Sequence, residues 1–173
     1  MAALNWPETK ATFSWPVTKA VFNWPVRVYW EDTDAGGIVF YANYLKFMER
    51  ARTEWLRSLG FDQSELRDST GGMFVVAQTL VKYLAPAKLD DLLNVTVNLQ
   101  NLGNMSASLG QSVLLKSKHA DTGAPDRLIA QGSIRIGWVN ALSHKPTRMR
   151  VHLATKLQAY GIDGGAAFVQ DSS

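Results

Sequence analysis

The sequence predicts an α+β domain in which one long central helix lies against a single five-stranded antiparallel sheet. Three observations carry this reading. From Tyr44 onward, apolar residues recur at spacings of three and four, the period of an amphipathic helix. Beyond Gly72 the chain changes to long runs rich in strand-forming residues, in places strictly alternating. The order is one strand, the long helix, then four strands without another long helix between them, which suits a helix layered on an antiparallel sheet.

Residues 1–22 read as a leader built from a repeat. Asn5-Trp6-Pro7 and Ser14-Trp15-Pro16 open two copies of a nine-residue unit, and Asn23-Trp24-Pro25-Val26 begins a third. Proline removes a backbone donor and favours extended chain, so no helix is expected there. Two and a half short copies cannot build a solenoid core either. The leader is expected to be partly flexible; the alternative is that Trp6 and Trp15 dock on another subunit or a partner. Copies two and three offer the same Trp-Pro-Val to the first strand, but only the third runs on into Arg27-Val28-Tyr29-Trp30.

Val26 to Trp30 is the first expected strand, by its β-branched and aromatic content. The stretch Glu31 to Tyr44 follows, with two closely spaced carboxylates, two glycines and an apolar run. The helix covers about 16 residues and buries Tyr44, Phe47, Met48, Ala51, Trp55, Leu56 and Leu59. Asn43 is its candidate cap, a start near Val39 being the alternative, and Gly60 is its stop signal. Residues 61–72 read as a polar connector ending in Gly71-Gly72. Strands are expected over Met73–Leu84, Leu93–Leu102, Ser106–Lys118 and Leu128–Val139, arranged as a meander. They are joined through Ala85-Pro86-Ala87 with Leu89-Asp90-Asp91, the Gly103-Asn104 turn, and a hairpin connection at Asp121–Pro125. A terminal helix is expected over Met149–Tyr160, after Pro146. Residues 23–160 thus form the domain, and 161–173 a small, polar, flexible tail. Such a sheet would expose an apolar outer face, so a dimer or higher assembly is expected.

Composition narrows the function classes. A chain of 173 residues with 46% hydrophobic and 19% charged residues can bury the core of one globular domain. It has no cysteine, which excludes disulfides, thiolate metal sites and a cysteine nucleophile, and which fits a reducing compartment. A net charge of +3 is too small to argue for nucleic acid but is compatible with an anionic small substrate. No apolar run approaches the ~18 residues of a membrane span, and the N-terminus does not read as a secretory signal.

Asp32-Thr33-Asp34-Ala35-Gly36-Gly37 invites comparison with a calcium loop, but Gly36 and Asn43 stand where oxygen ligands are needed at positions five and twelve. Nor is it a phosphate loop, for it lacks the Gly-Lys-Ser/Thr ending. His119, His144 and His152 lie late in the chain, accompany no nucleophile elbow and are not spaced as a metal set, so each reads as a surface or loop histidine. A carboxylate remains. Asp34 stands a few residues before a helix start, where unpaired N–H groups carry partial positive charge and can polarise a carbonyl oxygen. A carboxylate there can attack the carbonyl or activate a water. Asp32 and Asp34 read equally well as turn and capping residues, and the residues alone leave that choice open.

Trp24-Pro25-Val26-Arg27-Val28-Tyr29-Trp30-Glu31-Asp32-Thr33-Asp34-Ala35-Gly36-Gly37-Ile38-Val39-Phe40-Tyr41-Ala42-Asn43-Tyr44, followed by Glu49-Arg50-Ala51-Arg52-Thr53-Glu54-Trp55-Leu56-Arg57, closely resembles the 4-hydroxybenzoyl-CoA thioesterase family, and within it the acyl-CoA thioesterase branch associated with the bacterial Tol–Pal system. Tyr83, Ala85-Pro86-Ala87 and Leu89-Asp90-Asp91 are similar to the family's middle signature, and the likeness covers roughly residues 22–158. The resemblance implies the hotdog fold, a long helix wrapped by an antiparallel sheet and paired into dimers or tetramers. It implies hydrolysis of acyl-CoA to free acid and CoA, with Asp34 as the catalytic aspartate, acting as nucleophile or as general base, and the backbone N–H of Tyr41 polarising the thioester carbonyl. Gly36 and Gly37 would allow close approach of the substrate at the helix start, and the acyl slot, at a subunit interface, would be lined around Met73, Phe74 and Val75. No metal or redox cofactor is expected. A cytoplasmic protein is implied, peripheral at the inner membrane in one reading, with acyl carrier protein as a further candidate partner. Two departures stand out. Tyr41 occupies the position where the Tol–Pal branch usually has histidine. The Gly103-Asn104-Met105 turn is neutral, where the hydroxybenzoyl branch has basic residues for the nucleotide phosphates, so the candidates become Lys82, Lys88, Lys116, Lys118, Arg135, Lys145 and Arg148. The rival reading is a non-catalytic acyl-CoA or acyl-carrier binding module, or an assembly partner linked to Tol–Pal.

Overall fold

The structure, a computed structural model, describes residues 22–117 and 125–161. Nearly all of the repetitive leader, residues 121–124 of the expected hairpin connection and the tail from residue 162 lie outside the described residues. Strand β1 (Phe22–Arg27) leads through a 3₁₀ turn (Trp30–Asp32) to helix α1 (Asn43–Ser58). Helix α2 (Gln63–Thr70), strands β2 (Gly72–Tyr83), β3 (Leu92–Leu102), β4 (Ser106–Leu115) and β5 (Arg127–Asn140), and helix α3 (Val151–Gly161) follow. All five strands form one antiparallel sheet in the order β1-β3-β4-β5-β2.

The third repeat copy is the one that enters the sheet. Asn23-Trp24-Pro25-Val26 pairs with β3, Trp24 opposite Val95 and Val26 opposite Leu93. The strand ends earlier than its β-branched content predicts, because Arg27 faces Leu92, the first residue of β3, and beyond it the partner strand has run out. Val28 stays buried, but Tyr29 and Trp30 leave the sheet for the 3₁₀ turn and face outward.

Four further expectations are corrected. The connector 61–72 contains α2. Asp62 caps it by accepting hydrogen bonds from the N–H groups of Ser64 (2.9 Å) and Glu65 (3.3 Å), and Gly71 ends it at φ 68°. With Leu66 as its sole buried residue, α2 shows too little periodicity to be seen in the sequence. Second, only β3, β4 and β5 form a meander. β2 pairs with β5 at the far edge, because the link after Tyr83 turns back across the end of the sheet: Leu84 and Ala85 donate to the Ile129 carbonyl, and Val39 donates to that of Ala87. This path delivers β3 between β1 and β4. Third, β4 stops at Leu115 rather than Lys118, since Lys116 and Ser117 turn toward the Asp126 carboxylate. The terminal helix starts two residues later than expected, at Val151, because the N–H of Met149 is held by the carbonyl of Asn104 (2.8 Å).

Helix α1 packs over β1, β3 and β4. Phe47, Met48, Ala51 and Trp55 meet Val95, Val97, Leu99 and Leu109 in the core, all essentially inaccessible. Beneath the helix lies a polar point. Gln111, 1% exposed, donates through Nε2 to the carbonyls of Met48 (3.0 Å) and Thr96 (3.3 Å) and accepts from Arg52 Nη1 (2.7 Å). The helix leaves β2 largely uncovered. β2 is a sheet edge, and Val76 and Leu80 are 53% and 52% exposed. Position 72, the start of β2, requires glycine, since a Cβ there would lie 2.3 Å from the Trp138 ring. No helix among the described residues is long and apolar enough to cross a membrane.

Candidate active site

The stretch between β1 and α1 folds into a small hairpin. Phe40 donates to the Asp32 carbonyl (2.9 Å), Thr33 bridges Val39, and Asp34 donates to the Ile38 carbonyl (2.9 Å). Gly37 closes the tip at φ 72°, donating to the Asp34 carbonyl. The two carboxylates take opposite positions. Asp32 is 3% exposed, and its Oδ2 accepts from the N–H of Tyr29 (3.0 Å), which binds the base of the hairpin. Asp34 is exposed, and its Oδ1 accepts from the N–H of Gly36 (2.8 Å), an Asx turn that restrains the carboxylate at the tip of the hairpin. Glycine at position 36 suits this approach, since a Cβ there would sit 3.0 Å from Asp34 Oδ1, closer than an ordinary contact.

Asn43 is not the helix cap. Ala42 holds that position with no side-chain bond, while Asn43, buried in the first turn, donates from Nδ2 back to the Asp32 carbonyl (2.9 Å). The first turn of α1 contains no acidic residue, so no carboxylate of the helix itself meets its positive end. Among the described residues no acceptor meets the backbone N–H of Tyr41. The carbonyls on either side of that residue's α-carbon are both held: Phe40 accepts from the N–H of Asn43 (2.8 Å), and Tyr41 accepts from the hydroxyl of Tyr83 (3.0 Å). Tyr83, at the end of β2, also packs edge-on against Tyr41 and Tyr44. Tyr44 lies beneath, its hydroxyl oxygen accepting from the N–H of Ala87 (3.0 Å). Burial raises the Tyr44 pKa above its ordinary value, the Ala87 bond working against it. Burial likewise raises that of Tyr83.

Within one chain, Met73, Phe74 and Val75 are not brought to this hairpin. The contact from β2 is Tyr83, and Phe74 lies nine residues away from it along the strand, roughly 30 Å. Phe74 stacks edge-on against Trp138 (4.9 Å), and Phe74 and Val75 line a cavity of about 150 Å³ between α1, α2 and the sheet. The opposite wall comes from Glu49, Arg52 and Thr53, which fall on one helix face at intervals of three and four. Burial lowers the Arg52 pKa, opposed by the charge of Glu49. Nothing in the sequence sets this face apart from an ordinary solvated one.

A second cleft, about 420 Å³, opens where α2, β5 and the start of α3 meet. Its lining includes Thr70, Asn140, Thr147, Arg148 and Arg150, two guanidinium groups and no carboxylate. Met149 is bonded to Asn104, and Arg148 lines a cavity with that residue beside the neutral turn after β3, while Arg150 donates to the Thr70 carbonyl at the end of α2 (3.4 Å). Arg148 was among the candidate bases in the sequence, whereas Arg150 was not. His144 and His152 are exposed and separate; His119 lies outside the described residues.

Comparison with known proteins gives a consistent result. The model of the thioesterase superfamily matches residues 36–119. The acyl-CoA thioester hydrolase YbgC of Escherichia coli is 39% identical over 121 residues, covering 70% of this chain and 84% of that protein. The acyl-CoA thioesterase YbgC of Haemophilus influenzae is 57% identical over 70 residues, 40% of this chain; the chain spans about half, 52%, of that relative's length. Among solved structures, a probable thioesterase from Bartonella henselae superposes with a TM-score of 0.68 at 28% identity, covering 76% of this chain and 100% of that one.

Proposed function

The chain belongs to the thioesterase superfamily and has its hotdog fold, and on that premise we propose that it hydrolyses acyl-CoA thioesters to the free acid and CoA, with Asp34 as the reacting carboxylate. The observation that carries the reading is one short hairpin with an exposed carboxylate, oriented by Gly36, followed directly before α1 by a Tyr41 N–H that meets no acceptor among the described residues. The thioester carbonyl oxygen accepts from the Tyr41 N–H, and negative charge growing on that oxygen is stabilised there. Asp34 then acts in one of two ways. It attacks the carbonyl carbon, expelling the CoA thiolate and leaving a mixed anhydride that water opens, or it takes a proton from a water that attacks directly. Both routes need the carboxylate ionised. A thiolate is a good leaving group, so neither demands a strong general acid. Tyr41 enters through its backbone, which makes the tyrosine found in place of the branch's usual histidine a mild change. Single turnover in heavy-oxygen water separates the routes, since only the anhydride route can leave label in Asp34.

The active unit is a pair of copies joined antiparallel along β2. The exposed edge with Val76, Leu80 and Leu84 supports this pairing. It brings the Tyr83 end of one β2, and with it Asp34, toward the Gly72 end of the other. Met73, Phe74 and Val75 of the partner copy then wall the acyl slot, and Arg148 and Arg150 beyond Gly72 hold the CoA phosphates, which bear the substrate's negative charge. The association with Tol–Pal, acyl carrier protein as a second carrier, and a cytoplasmic place at the inner-membrane surface extend the reading, and co-purification of the tagged protein from fractionated cells tests them. A thiol-release assay across straight-chain, branched and aromatic acyl-CoAs tests the function itself. Turnover of at least one class is expected. Tight binding of acyl-CoA without release of thiol from any class would favour the non-catalytic binding module instead.

A further inference from the structure

The hairpin holds Asp34 rigidly, but the N–H of Tyr41 stands one step outside it. Its direction is that of the planar Phe40–Tyr41 peptide, which is coupled through the Tyr41 α-carbon to the Tyr41–Ala42 peptide, and each of these two peptides is restrained through its carbonyl. The Phe40–Tyr41 peptide, which bears the N–H, is held by the bond from Asn43 to the Phe40 carbonyl, a bond internal to the start of α1. The Tyr41–Ala42 peptide is held by the Tyr83 hydroxyl, 3.0 Å from the Tyr41 carbonyl. The Tyr41 side chain is 62% exposed, so packing contributes little to fixing this residue. We propose that Tyr83 is a positioning residue: its hydroxyl, reaching from the end of the edge strand, holds the Tyr41–Ala42 peptide and, through the Tyr41 α-carbon, steadies the preceding Phe40–Tyr41 peptide so that its N–H, which meets no acceptor among the described residues, points at the thioester oxygen. This rests on the reading of that N–H as the carbonyl's donor. The ring of Tyr83 has a separate task. It packs edge-on against Tyr41 and Tyr44 with centroids 6.3 and 5.5 Å away, contacts that phenylalanine keeps. The hydroxyl can therefore be removed while the packing stays. Tyr83 also belongs to β2, so the strand proposed to join two copies is the strand that aims the donor.

The test is Tyr83→Phe in the full-length chain, measured by thiol release and by binding of two non-hydrolysable CoA analogues. One analogue is a trifluoromethyl ketone of CoA, whose carbonyl carbon readily becomes tetrahedral and so presents the oxygen of the transition state. The other is a thioether, which has none. Loss of a whole oxyanion donor costs about 10²–10³ in rate, so a donor that is kept but less well aimed predicts a fall in kcat of about tenfold, with KM within about twofold. The ketone should bind about tenfold more weakly than to the wild type, and the thioether equally well. Wild-type kcat, a loss carried by KM, or equal weakening of both analogues would overturn the proposal. A variant that lost activity only in proportion to its unfolded fraction in a thermal melt would overturn it as well. Asp34→Asn run alongside keeps the two ideas apart: an active Asp34→Asn refutes the aspartate chemistry, whereas the analogue comparison judges Tyr83 without any reaction.

Discussion

Adding one methyl group at Gly36, and separately at Gly37, separates the two tasks of the hairpin. At Gly37 the backbone has φ 72° and no atom lies within 4 Å of the new Cβ, so Gly37→Ala is a test of backbone strain alone. A left-handed alanine costs about 1–2 kcal/mol, offset by about 0.5 kcal/mol from the stiffer unfolded chain, which predicts a net loss near 1 kcal/mol. At Gly36 the conformation is unstrained, but the methyl meets Asp34 Oδ1 at 3.0 Å. An ordinary contact there is about 3.4 Å or more, so the carboxylate must retreat by roughly half an ångström and strain its 2.8 Å bond from the Gly36 N–H. A misplacement of 1 Å can cost about 10² in rate, so Gly36→Ala should lower kcat by about tenfold while stability changes by less than about 0.5 kcal/mol. Urea unfolding and steady-state thiol release on both variants supply the readout. The expected pattern is a dissociation, with Gly37→Ala losing more stability and Gly36→Ala more kcat. Wild-type kcat in Gly36→Ala, or a larger kcat loss in Gly37→Ala, would refute the positioning assigned to the Asp34 carboxylate.

Other consequences can be measured directly. Gln111→Leu leaves the partly buried Arg52 guanidinium without its acceptor, and urea unfolding should show a loss of about 2 kcal/mol. Arg148→Ala with Arg150→Ala should raise KM for acyl-CoA several-fold, in a salt-dependent way, and leave turnover of a short pantetheine thioester unchanged; equal effects on both substrates would remove the arginines from the phosphate site. The contribution of Tyr44 and Tyr83 to stability should be constant up to about pH 10, the ordinary tyrosine value, and be lost above it. Tyr44 and Tyr83 have raised pKa values in the folded chain, so the unfolded chain loses its tyrosine protons first and is favoured as the pH rises through that window. Urea midpoints taken on either side of pH 10 check the sign.

Much of the fold was legible because the long elements have strong periods. The stripe from Tyr44 to Leu56 marked α1 closely, and Gly60 lies just past its end. What failed was short or non-local. Helix α2 depends on an Asp62 cap and one buried leucine, too little for a periodic signal. The place of β2 at the sheet edge follows from hydrogen bonds made by residues 84–87 with Ile129 and Val39, pairings that no local pattern encodes. At the site, the residues alone left Asp32 and Asp34 as equivalents; their burial separates them, one tied to the Tyr29 N–H inside the base, the other exposed on Gly36. Asn43 read as a cap because asparagine prefers that position, but its amide is used eleven residues back at Asp32. Tyr83 was visible only as part of a family signature, and its bond to the Tyr41 carbonyl crosses 42 residues of chain.

The central claim is that Asp34 supplies the chemistry while Asp32 only shapes the turn, and paired substitution tests it most directly. Asp34→Asn and Asp32→Asn should be purified as full-length folded protein and assayed for thiol release on the best acyl-CoA substrate. The amide at Asp34 retains an oxygen for the Gly36 N–H but cannot attack or take a proton, so kcat should fall by about 10³ or more with the melting temperature unchanged. Asp32→Asn should lose stability and keep most of the kcat of its folded fraction. Activity near wild type in Asp34→Asn would contradict the account.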